Sequence, residues 1–162
     1  MRMNMITIRA GGALFAAAAA MACGSMTSAQ GERWTTYSIS ETGTSVEIPA
    51  SVFNKPAGHP DGYGQRFEKP DGSADLTVQS VPNDGTSPAA YLAKKHPPAD
   101  IVYKRVTPHF FVVSSYKRDK IWYDRCNFSE RFVHCVLINY PAVEKQQWDG
   151  IVTRISNTLR GS

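Results

Sequence analysis

From Trp34 onward, apolar and polar positions alternate in short runs punctuated by Gly, Pro and Asp, the pattern of a strand-rich domain. Residues 34–40 and 44–48 alternate on either side of Glu41-Thr42-Gly43 and predict an opening hairpin that Pro49 stops. Pro56, Gly58, Pro60, Gly62 and Gly64 then crowd one stretch, which reads as a surface loop. A third strand is expected over 65–69 and, after the Pro70-Asp71-Gly72 turn, a fourth over 74–81, where Leu76, Val78 and Ser80 alternate with Asp75, Thr77 and Gln79. Ser87 followed by Pro88 supplies an N-cap and a first-turn proline for a short helix that Pro97-Pro98 must end.

Four more runs, 101–106, 109–117, 121–128 and 132–140, are separated by Thr107-Pro108, Arg118-Asp119 and Ser129-Glu130-Arg131. They predict successive antiparallel strands. The period then changes: Trp148, Ile151, Val152, Ile155 and Leu159 fall on one stripe of a helix that Pro141 opens and Gly161 stops. The predicted order is ββββαββββα, without the regular strand–helix alternation that builds a parallel sheet. The expected class is therefore α+β, a mostly antiparallel sheet packed between helices, with one face covered by the C-terminal helix.

The first 29 residues differ in kind. They carry two arginines, no acid and an apolar run from Gly11 to Ala22, followed by small residues at Thr27 and Ala29. This is the pattern of a secretory signal peptide cleaved after Ala29, and the run is shorter than the roughly 20 residues a spanning helix needs. A second reading makes Cys23 a lipidated first residue, which would tether the same domain to a membrane. On either reading, residues 30–162 form a single domain that is periplasmic or secreted, and Cys126 and Cys135 are its cysteines. An oxidising compartment predicts that they pair. A turn centred between Glu130 and Arg131 sets 126 opposite 135 at a non-hydrogen-bonded position, where side chains approach most closely.

Three stretches resemble small secreted bacterial domains of unknown function that share the PsbP-like fold. They are the spaced Tyr37-Ser38-Ile39, Val46-Glu47-Ile48-Pro49 and Phe53, the run DGYGQRFEKPDGSADLTVQSV over 61–81, and NYPAVEKQQWDGIVTRISNTL over 139–159. The resemblance spans nearly the whole domain and implies an antiparallel sheet between helices. Better-known proteins of this fold are an extrinsic subunit of photosystem II and a Ran-binding import factor, which work by docking on partners. The cysteine pair is not part of that general pattern.

Signatures of catalysis are missing from the sequence: it contains no G-x-S-x-G, H-E-x-x-H, P-loop, C-x-x-C or EF-hand motif. Gly62-Tyr63-Gly64 begins like a dinucleotide fingerprint but leads into a strand, and the four histidines are scattered, so no metal or cofactor site is expected. Without the leader, 16 basic side chains face 14 acidic ones, a net charge of +2 that argues against nucleic-acid binding. The charge is uneven. Residues 30–93 carry −4, residues 94–131 carry +5 and residues 132–162 carry +1. Within the basic segment, Arg118, Lys120, Trp122, Tyr123 and Arg125 are the candidate partner-binding residues, facing an envelope protein or an anionic polymer. The expected function is that of an exported, non-catalytic binding or accessory module. The alternatives are a hydrolase or other enzyme whose site assembles only in three dimensions, and an envelope lipoprotein anchored through Cys23.

Overall fold

The computed structural model of the chain describes residues 32–162. The leader and Cys23 lie outside the described residues. Among the described residues, nine strands and two α-helices follow one another as β1 (Trp34–Ile39), β2 (Thr44–Pro49), β3 (Lys55–Pro56), β4 (Tyr63–Glu68), β5 (Asp75–Pro82), α1 (Pro88–Lys94), β6 (Asp100–Val106), β7 (Phe110–Lys117), β8 (Lys120–Phe128), β9 (Phe132–Pro141) and α2 (Lys145–Thr158). The strands β3-β4-β5-β9-β8-β7-β6 form one sheet, antiparallel at every junction, and β1-β2 form a separate hairpin. The fold is thus the α+β class that the alternation predicts.

Period-2 alternation divides the sheet into two differently covered faces. On one, Leu76, Val78, Ile121, Val136 and Ile138 meet the α2 stripe of Trp148, Val152 and Ile155, and Leu159 follows just beyond the helix end. The β1-β2 hairpin joins this layer through Ile39, Val46 and Ile48. On the other face, Leu92 of α1 packs with Phe111, Val113, Trp122 and Val133 around the disulfide between Cys126 and Cys135. Ser87 caps α1, accepting from the Ala90 N–H at 3.3 Å. The two cysteines stand directly opposite, Cα atoms 4.1 Å apart, because Ser129 N–H bonds Phe132 C=O and sets the register of the β8-β9 hairpin. A cross-link closing so short a loop contributes roughly 2 to 3 kcal/mol in the chain-entropy account.

Three local expectations are corrected. The loop after Pro49 contains the two-residue strand β3, whose pairing with Phe67 and Glu68 is prolonged when Ala57 N–H donates to Arg66 C=O and Arg66 N–H to Gly58 C=O. The C-terminal helix does not open at Pro141: that residue is still extended, opposite Lys120, and a 3₁₀ turn over Ala142–Glu144 precedes α2. Nor does Gly161 stop it. The helix ends at Thr158 because Leu159 turns extended, letting Arg160 exchange backbone bonds of 3.0 and 2.8 Å with Ser45. Gly161 instead lies against His134, leaving no room for a Cβ.

Candidate functional site

The alternation of β8 distributes the five candidate residues. Tyr123 and Arg125 point to the α2 face, where both reach Ser156. Trp122 points the other way and is core, 6 % exposed beneath α1. Lys120 shares the Trp122 side of the strand, and Arg118 occupies the β7-β8 turn in the left-handed region at φ 59°. Arg118 lies at the opposite end of the hairpin from Arg125, which is five residues beyond Lys120 and so roughly 17 Å along the strand. The structure therefore joins Tyr123 and Arg125 to one another, and not to the other three.

What it joins them to is the margin of the sheet. The helix α2 covers the middle of its face and leaves a groove toward β6, made of two adjoining clefts of about 340 and about 500 Å³ that share Tyr103, Tyr123, Val152 and Thr153. Arg105 and Arg125 both lie over the Phe110 ring, 5.4 and 5.1 Å from its centroid. Arg125 is held in place, with Nε donating to Asn127 Oδ1 at 3.1 Å and Nη1 to Ser156 Oγ at 3.2 Å. Tyr123 donates to the same Ser156 oxygen at 2.6 Å, and burial pushes its phenol up, so it stays protonated. Among the described residues neither arginine forms an ion pair. The groove is thus an aromatic-walled cleft carrying two uncompensated guanidinium charges, suited to an anionic group with an apolar body.

Beside it runs β6, every residue of which is exposed. Ile101, Val102 and Tyr103 are 41 %, 52 % and 51 % exposed, and Val106 and Tyr116 add to the strip. Sequence alternation could not single these residues out. They read as an ordinary strand, and only the strand order places them at the end of the sheet.

Two buried polar groups are accounted for by structure. On the α1 face, Asp124 is fully buried and its Oδ2 lies 2.5 Å from Lys95 Nζ. Asp124, Cys126 and Cys135 cluster closely enough to suggest metal ligands, but the disulfide consumes both sulfurs and leaves one carboxylate, itself paired with Lys95. On the α2 face, buried His134 links Thr44 Oγ1, 2.7 Å from Nδ1, to Ser129 Oγ, 3.2 Å from Nε2. Ser129 is already engaged by Phe132 at both N–H and C=O, as a turn residue is, and is not poised for nucleophilic attack.

Burial holds His134 below its ordinary pKa, so folding favours the neutral ring. Its contribution to stability is complete above the unfolded value near 6.5 and is lost as pH falls through the folded one. Urea unfolding between pH 8 and pH 5 should show stability falling toward the acid end, with a flatter dependence in His134→Gln. Equal slopes in the two proteins would show that His134 is not the titrating group.

No family model matches the sequence, and no curated protein matches it. Among solved structures it is similar to the solution structure of cyanobacterial PsbP (CyanoP) from Synechocystis sp. PCC 6803, with a TM-score of 0.58, 86 % of this chain covered and 99 % of that one. Sequence identity is 7 %, so the likeness speaks to architecture and to no residue's role. A seven-stranded antiparallel sheet with a helix on each face, matched over almost the whole of that protein, establishes that this chain has a PsbP-like fold.

Proposed function

We propose that the chain is an exported, non-catalytic binding or accessory module of the bacterial envelope, docking on an envelope partner through the β6 margin and the groove beside α2. The observation that carries this reading is the exposed apolar residues of β6 beside two arginines that form no ion pair among the described residues. Apolar side chains exposed along one edge strand cost solubility, and their coincidence with arginines that form no ion pair among the described residues matches the composition of interface centres. The leader pattern and the buried disulfide support export to an oxidising compartment. No described helix is long and apolar enough to cross a membrane.

Tyr103→Ser combined with Val102→Ser should lower recovery of the partner from solubilised envelope about tenfold, a typical loss for truncating an interface centre. Tyr63→Ser, which alters a comparably exposed aromatic residue on β4, should leave recovery unchanged. Equal recovery by all three proteins would overturn docking at β6.

A further inference from the structure

Resting on that docking surface, we infer that β6 receives an acidic, extended polypeptide segment of the partner as an eighth strand of the sheet. The strand pairs only with β7, leaving its other edge without a strand partner among the described residues. The bond from Thr107 N–H to Phe110 C=O, 2.9 Å, closes the β6-β7 hairpin and sets the phase of its ladder. In an antiparallel pair, bonded and non-bonded positions alternate, so Arg105 and Tyr103 turn their backbone groups toward β7. Lys104 and Val106 therefore present theirs outward, spaced as an incoming strand requires.

Charge selects the occupant. The side chain of Arg105 stands on the α2 face, opposite Val112, and Lys104 stands on the α1 face, opposite Val113. Neither forms an ion pair among the described residues, and Arg125 adds a further cation behind Arg105. An acid on either face of an added strand would thus meet a cation. Ile101, Val102 and Val106 offer apolar contact to the residues between. A second copy of β6 is disfavoured, since the seam would hold four cations from Lys104 and Arg105 against two acids from Asp100. Edge lysines and bulges protect natural sheets from self-pairing, and β6 has both, with its register shifting between Ile101 and Tyr103.

The test uses a capped seven-residue peptide alternating glutamate and valine, its lysine-for-glutamate counterpart, and the isotope-labelled protein. The glutamate peptide should bind about tenfold more tightly than the lysine one, because like charges across a strand pair repel. It should slow amide exchange at Lys104 and Val106 roughly tenfold by giving those groups partners. Lys104→Ser combined with Arg105→Ser should shrink the preference between the peptides severalfold, Arg125 remaining, while a folded spectrum persists, and an undiminished preference would overturn the inference. Equal binding of the two peptides, or protection elsewhere with Lys104 and Val106 unchanged, would overturn the inference. So would protection of those amides by self-association without peptide, which would assign the edge to a second copy. Peptide failure with the envelope recovery of Tyr103→Ser/Val102→Ser still reduced overturns this inference alone. Recovery insensitive to those substitutions overturns the docking reading beneath it.

Discussion

Lys95→Met is expected to destabilise the domain by about 3 to 5 kcal/mol at neutral pH, because it leaves a buried carboxylate without its counter-charge. Asp124 is fully buried on β8, and among the described residues its Oδ2 meets no donor other than the Lys95 ammonium, which reaches in from the C-terminal end of α1. Burial raises the pKa of Asp124, and Lys95 opposes that rise. Without the lysine the carboxyl protonates more readily, and a group whose folded pKa is raised gains stability as pH falls through it. Urea unfolding of Lys95→Met should therefore show a loss at pH 7.5 that is partly recovered near pH 5. Asp124→Leu added to Lys95→Met should restore much of the loss by removing the stranded charge. A single-variant loss below 1 kcal/mol would mean that the pair is solvated in solution.

Trp148→Ala should cost a similar amount, about 3 to 5 kcal/mol, from lost transfer energy and the cavity left behind. The indole is 4 % exposed, stacks on Tyr140 with centroids 5.3 Å apart, lies 5.8 Å from Phe53, and donates from Nε1 to Glu144 at 3.0 Å. It joins α2, β9 and the loop after β2 at one point. Losing it loosens the helix that walls the proposed groove. Chemical denaturation reads the loss directly, and Trp148→Phe should fall between alanine and wild type. A loss under 1 kcal/mol for Trp148→Ala would show that α2 is anchored by Val152, Ile155 and Leu159 alone.

Much of this architecture was legible in advance because its signals are local. The Ser87-Pro88 start of α1 needs only the adjacent chain, since a cap and a fixed proline φ act within one turn. The opposition of Cys126 and Cys135 follows from the short turn between them, which sets register without reference to the rest of the molecule. Where such expectations fail, a distant partner outweighs the local rule. Pro141 stays extended because β8 still pairs with it through Lys120, and α2 gives way at Leu159 because Ser45 offers the next residue a bridge.

The candidate site divides along the same line. Tyr123 and Arg125 are recognisable as a basic, aromatic run along β8, whereas Tyr103, Arg105 and Phe110, which complete the groove, come from β6 and β7. Trp122, chosen for its place beside them, is core because neighbours along a strand face opposite ways. Alternation along the chain determines which residues share a face, and turn chemistry determines which strands can be hairpins. Neither says which face meets α2, that β1-β2 leaves the main sheet to pack beside that helix, or that β6 lies at the end of the strand order. Those choices belong to the tertiary structure. They are decided by burial and pairing between segments remote in sequence, whose energies no local window contains.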